Sequence, residues 1–239
     1  MAFWNNQSVK FHFLSNTLLG VIFICLMSAS VHTQSRYKVS EQVFDFGHVG
    51  IDYRIFHNFK LVNTGHKVIR IDSVDVRCDC SSVLYDRQVL GPNDTLILKL
   101  TFDTKDFYGP VNRKFIVFLS LPERETTTFF YLAEVGQWQN GLKPNPFAIF
   151  MLPTHKEQSI KITNKVFESI KVEIQDINDD FFTVEFKKDN AKKDEMLELS
   201  VIPDKSLAKG TYLSNFTIKI TADDNDPAFL TIPVKIARF

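Results

Sequence analysis

Arg54-Ile55-Phe56-His57-Asn58-Phe59-Lys60-Leu61-Val62-Asn63-Thr64-Gly65 reads as one strand and the turn that ends it. Ile55, His57, Phe59 and Leu61 alternate with Phe56, Asn58, Lys60 and Val62, a period of two that sends successive side chains to opposite faces of a sheet. Asn63-Thr64-Gly65 then breaks the run with residues that tolerate turn conformations, predicting a hairpin into the next strand. Downstream, Leu96, Leu98, Leu100 and Phe102 alternate with Ile97, Lys99, Thr101 and Asp103, and turns are expected at Gly91-Pro92-Asn93-Asp94 and Phe107-Tyr108-Gly109-Pro110. No stretch shows a helical period.

The same pattern returns 101 residues later without a gap. Asn63 falls on Asn164, Asp103 on Asp204 and Gly109 on Gly210, and the triplet Phe115, Val117, Leu119 falls on Phe216, Ile218, Ile220. Phe46 with Phe147, Leu61 with Ile162, Val76 with Ile177 and Leu98 with Leu199 keep the register. About seven short strands per copy, spaced by turns, predict an all-β chain of two tandem immunoglobulin-like β-sandwiches. The copies are expected at residues 39–135 and 146–239, joined by a linker at 136–145 that carries Gly and Pro. The copies differ where the first has Cys78-Asp79-Cys80, because Cys78 meets Asp179 and Cys80 meets Phe181. Phe181 is therefore expected in the second core, where a thiol stands in the first.

A chain of 239 residues accommodates two such domains, and its 28 basic residues balance 28 acidic ones. That balance supplies no net field for nucleic acid or an anionic membrane, so neither partner is expected. Residues 1–33 form a separate object. Leu18 through Met27 is an apolar run followed by Ser28, Ala29 and Ser30, the layout of a secretory signal and shorter than a membrane-spanning helix. Cleavage is expected; the alternatives are an uncleaved anchor, which would hold the chain at a membrane through the signal segment, and a lipid on Cys25. Export leaves the mature chain two cysteines in an oxidising compartment.

Phe44-Asp45-Phe46-Gly47-His48-Val49, then Phe59 through Gly65, then Ile71-Asp72-Ser73-Val74, then Cys78-Asp79-Cys80-Ser81, resembles the bacterial secreted domain-of-unknown-function family 1573, itself similar to Hydin-like (ASH) immunoglobulin-type domains. The resemblance covers roughly residues 43–119, with Phe44, Phe46, Gly47, Asn63 and Gly65 as its structural motif. Two departures stand out: Asp79 replaces the usual Gly between the cysteines, and Gly91-Pro92 inverts the usual Pro-Gly. The resemblance implies fold and export to the periplasm or cell envelope, and carries no established activity.

Cys78 and Cys80 are the chemical oddity. In an extended strand their Cβ atoms would stand about 6–7 Å apart, too far for a disulfide, whereas a turn or bulge would allow one. Three readings stand: small residues packed at a strand end, a redox-active disulfide, or thiolate ligands to Cu(I) or Zn(II). If the strands near 42–46, 54–63 and 67–76 are antiparallel neighbours, His48, Asp52 and His57 approach the cysteines at one pole, with His66 at the other. His48 is the candidate third ligand, although it also reads as an exposed loop residue. Asp223-Asp224-Asn225-Asp226-Pro227 lacks the Gly and distal Glu of a calcium loop and is expected to be a solvated turn. Asn93-Asp94-Thr95 and Asn215-Phe216-Thr217 match the glycosylation acceptor pattern. No nucleophile elbow, His-Glu-x-x-His, phosphate loop or dinucleotide Gly motif occurs. No cofactor, catalytic residue or small-molecule substrate is therefore assigned. The leading expectation is a non-enzymatic exported module that binds a protein or envelope partner, and the alternative is thiol or metal handling at Cys78 and Cys80.

Overall fold

Alternation along the first copy becomes nine strands in a computed structural model that describes residues 36–120, 124–138, 142–222 and 226–239. They are β1 (Tyr37–Val39), β2 (Val43–Val49), β3 (Arg54–Asn63), β4 (Ile69–Asp75), β5 (Ser81–Tyr85), β6 (Val89–Leu90), β7 (Thr95–Asp103), β8 (Gly109–Ser120) and β9 (Arg124–Val135). One sheet has the order β1-β3-β7-β5, and β2-β9-β8-β4-β6 faces it. The inward positions of the alternation fill the space between them: Phe46, Phe59, Phe102, Phe115, Phe129 and Tyr131 are fully buried. Phe115 stacks on Phe129 at 4.9 Å, and Phe59 meets both rings. Several of the chain's 23 phenylalanines thus meet in this one core.

The second copy repeats the plan with β10 (Pro144–Asn145), β11 (Ile149–Met151), β12 (Gln158–Thr163), β13 (Ser169–Ile177), β14 (Phe182–Lys188), β15 (Asn190–Lys192), β16 (Met196–Pro203), β17 (Gly210–Ala222) and β18 (Ala228–Arg238). One sheet runs β10-β12-β16-β14, and β18, β17, β13 and β15 make the other, with β11 beside β18. Each copy has its own apolar core, the first drawn from Phe44 to Val135 and the second from Leu142 to Ile236. The fold class is thus all-β and immunoglobulin-like. The segment 1–33 read as a signal lies outside the described residues, as do residues 223–225 of the acidic turn.

Three expectations are corrected. Asn63-Thr64-Gly65 is not a hairpin, because β3 pairs with β1 and β7 while β4 pairs with β6 and β8. The chain crosses from one sheet to the other there, so the strands near 42–46, 54–63 and 67–76 are not mutual neighbours. The buried Asn63 side chain makes the crossing possible. Its amide donates to the carbonyls of Lys67 (2.9 Å), Leu90 (3.1 Å) and Gly91 (3.0 Å), and its oxygen accepts from the Gly65 N–H. Asn164 does the same in the second copy, donating to Phe167 and Ala191 carbonyls and accepting from the Val166 and Phe167 N–H groups. One side chain thus satisfies backbone groups that would otherwise be buried unpaired at the corner.

The two copies also do not keep separate sheets. β2 and β18 pair in parallel at His48 and Leu230, which joins the β2-containing and β18-containing sheets into one ten-stranded sheet. Thr231 Oγ1 donates to the Phe46 carbonyl at 2.6 Å. Contact this close requires Gly47: its φ is +60°, and a Cβ there would lie 2.0 Å from the Phe229 carbonyl oxygen. Residues 36–239 accordingly form one compact unit.

The third correction concerns the linker. Leu142 is buried in the second core, and Pro144–Asn145 pairs with β12, so residues 142–145 belong to the second copy and not to the linker. Trp138 packs on the second core and lies 6.2 Å from Phe147, which in turn is 6.1 Å from Tyr53. The register fails here as well, because Phe46 is fully buried and its counterpart Phe147 is 41% exposed. The strand that is continuous as β2 is split by Pro146 into β10 and β11, and Phe147 is used against the first copy instead.

Candidate functional site

The chain leaves β4 at Asp75 and rejoins the other sheet at Ser81, and Cys78 and Cys80 lie in the turn between them. Arg77 takes φ +58°, held by its N–H on Asp75 Oδ1 (3.0 Å) and its guanidinium on the same carboxylate (2.9 Å). This departure from strand geometry brings the two Cα atoms to 5.3 Å, and the sulfurs form a disulfide. Both residues are half-buried, and Cys80 packs against the first core. The Cys80 N–H donates to Cys78 Sγ at 3.0 Å, and Ser81 Oγ lies 3.8 Å from Cys78 Sγ and 3.5 Å from Cys80 Sγ. Ser81 Oγ also hydrogen-bonds the phenol of the fully buried Tyr131. Burial pushes that phenol's pKa up, partly offset by the Ser81 bond and the nearby Arg113.

The second copy re-enters its sheet at the equivalent place without sulfur and without a left-handed residue, since Asn178 does not share the positive φ of Arg77. The Asp103 N–H donates to the Cys80 carbonyl at 2.9 Å, and at the equivalent place the Asp204 N–H donates to the Phe181 carbonyl at 2.9 Å. The backbone register is therefore correct at this turn, but the burial expected of Phe181 is only partial. Phe181 lies across Tyr212 (4.9 Å), and the neighbouring Phe182 is the ring that enters the core. Asp179, in the place of Cys78, turns toward the first copy, accepting from Lys99 Nζ (2.8 Å) and Ser214 Oγ (2.9 Å).

His48 does not join the cysteines. Its Nδ1 donates to the Gln137 carbonyl at 3.0 Å, and the ring lines a shallow groove with Asp45, Glu134 and Phe229 at the junction of β2 and β18. Among the described residues no group of three or more His, Cys, Asp or Glu is arranged to hold a metal ion. Sequence reasoning placed His57 near the cysteines, but it lies in the joint between the copies. Buried on the core face of β3, its imidazole stacks on Phe44 at 3.6 Å. Its Nδ1 meets Asp176 Oδ2 at 2.8 Å and its Nε2 meets Glu41 Oε1 at 3.0 Å. Burial pulls its pKa down, but the bonds and charges of Asp176 and Glu41 outweigh this and hold it above the ordinary histidine value.

The outward face of β3 completes the joint. Phe56 alternates onto that face with Asn58 and Lys60, and the second copy covers it. Asn215 accepts from the Phe56 N–H (2.6 Å) and donates to its carbonyl (3.2 Å), taking the place of a neighbouring strand. Asn178 Nδ2 adds a bond to the same carbonyl at 2.7 Å. Asn215, which matched the glycosylation pattern, is fully buried with its amide engaged on both sides, so it is no acceptor for a glycan.

The sheet edges differ between copies. β5 ends the first copy's smaller sheet, and no strand covers its outer edge among the described residues. Ser81-Ser82-Val83-Leu84-Tyr85 carries no charge, proline or bulge, and Leu84 is 69% exposed. The matching edge of the second copy, β14, has a bulge between Phe186 and Lys188 and carries Glu185, Lys187 and Lys188. Lys187 pairs with Glu157 and Glu198, and Lys188 with Glu195. Charges and bulges of this kind keep a sheet edge from accepting another strand.

Residues 37–133 match the model of a family described as a protein of unknown function, DUF1573, which bears out the resemblance carried by residues 43–119. No curated protein matches the chain. Among solved structures, a protein of unknown function from Porphyromonas gingivalis W83 is 14% identical, with a TM-score of 0.35 over 85% of this chain and 100% of that one. The ASH/PapD-like domain 7 of human CEP192 is 11% identical, with a TM-score of 0.36 over 44% of this chain and 87% of that one. The VesB protease of Vibrio cholerae is 15% identical, with a TM-score of 0.36, and the match spans 42% of this chain and 32% of that one.

Proposed function

We propose that the chain is an exported, non-enzymatic immunoglobulin-like module of the bacterial cell envelope that binds an extended segment of a partner protein along β5. The carrying observation is the difference between two equivalent edges in one molecule: β14 is guarded by charge and a bulge, and β5 is bare. An added strand would satisfy the outward backbone groups of Ser81–Tyr85 and lay an apolar side chain against Leu84. The first thirty residues support export, and the absence of a recognisable acid, base and nucleophile set supports a binding role.

The test compares envelope-extract crosslinking of the purified chain with that of Val83→Pro, which blocks added-strand pairing, and Glu185→Val, a control on the guarded edge. A defined partner peptide crosslinked to β5, lost in Val83→Pro and kept in Glu185→Val, is the expected result. Equal capture by wild type and Val83→Pro would overturn the assignment to β5.

A further inference from the structure

We infer that the Cys78–Cys80 disulfide is an exchange site that accepts two electrons from a dithiol. A structural staple is the ordinary role of a disulfide, and two observations count against it here. The second copy re-enters its sheet at the equivalent place with the same backbone hydrogen bond, using Asp179 and Phe181, no sulfur and no left-handed residue in the place of Arg77. A bond that closes over one intervening residue also removes little freedom from the unfolded chain. The fold thus has small need of it.

The surroundings suit exchange. Both cysteines are half-buried, so solvent reaches the turn, unlike the sealed core beneath it. The Cys80 N–H points at Cys78 Sγ at 3.0 Å, so charge left on Cys78 meets a backbone donor that Cys80 Sγ does not share. A better-stabilised thiolate is a better leaving group. The step follows from this. A substrate thiolate attacks Cys80 Sγ and forms a mixed disulfide, the Sγ–Sγ bond breaks, and Cys78 leaves as the thiolate. The second substrate thiolate then attacks the substrate sulfur of the mixed disulfide and releases Cys80. The substrate dithiol is oxidised to a disulfide, the cysteine pair is reduced, and the two protons of the substrate thiols end on Cys78 and Cys80. This inference does not rest on strand docking at β5, since a small dithiol serves as substrate.

The experiment equilibrates the full-length oxidised protein, under native conditions, with graded ratios of reduced to oxidised dithiothreitol and of reduced to oxidised glutathione. Free thiols are alkylated and counted by intact mass. The expected result is a reversible two-electron transition with mono-alkylated protein scarce, and in the reduced form Cys78 alkylating at lower pH than Cys80. Cys78→Ser/Cys80→Ser should lose all exchange while keeping the wild-type melting midpoint. A disulfide that resists both couples in the folded protein and yields only after unfolding would overturn the inference. So would a double variant whose midpoint collapses, since that makes the bond a staple.

Discussion

Replacing Gly47 with alanine tests the claim that the two copies are fused through one sheet. An ideal Cβ at this position lies 2.0 Å from the Phe229 carbonyl oxygen and 2.4 Å from the Phe229 Cβ. Ordinary contact needs well over 3 Å, so β2 and β18 must separate by more than about 1 Å. That movement breaks the 2.6 Å bond from Thr231 to the Phe46 carbonyl, both of which are buried. The positive φ costs a residue with a side chain about 1 kcal/mol. A buried carbonyl left unpaired costs about 1–3 kcal/mol. Together they put Gly47→Ala about 3 kcal/mol below wild type. Urea unfolding followed by far-ultraviolet circular dichroism reads this directly. A variant within about 1 kcal/mol of wild type, an ordinary surface effect, would refute the reasoning, because backbones that relax so cheaply are not held by the junction.

Two further perturbations probe the joint and the repeat. The His57 pKa is raised in the folded state, so its contribution to stability is full below the unfolded value of about 6.5 and is lost as pH rises through the folded value. His57→Gln should therefore flatten the fall in stability that the wild type shows as pH rises above about 6.5, and an unchanged slope in urea titrations at several pH values would contradict it. Phe182→Ala should cost about 3–5 kcal/mol and Phe181→Ala clearly less, because only the former ring is fully enclosed; equal losses by thermal unfolding would show that the turn is placed one residue out.

The repeat was legible because strand periodicity and turn residues are local, and Asn63 with Asn164 shows why the register survives: each must satisfy both sides of a corner. Alternation reveals which face a residue occupies and is silent on which strand lies beside it, so the crossing at Asn63-Thr64-Gly65 read as a hairpin. The joint was hidden for a related reason. Phe56 on the polar face of β3, between groups bound for solvent, was its one visible trace; Asn215 read as a glycan acceptor, and Asp176, paired with His57, gave no local signal. At the cysteines the turn could be judged permissive but not present, since the conformation of Arg77 is set by Asp75.

The contact between copies is heterologous: a turn of one docks on a sheet face of the other, and such contacts propagate into open polymers when both surfaces recur. Here neither recurs. Lys99, which receives Asp179, is replaced at its equivalent by Ser200, and Phe56 and Asn58 are replaced by Glu157 and Ser159. On that face Lys187 already lies between Glu157 and Glu198, an arrangement with excess negative charge that turns an incoming Asp179 away. The other half of the pair, Asp179, becomes Cys78 in the first copy. Divergence between the repeats has thus made the internal contact single-use, so the molecule can be concentrated without its own joint serving as a template for filaments.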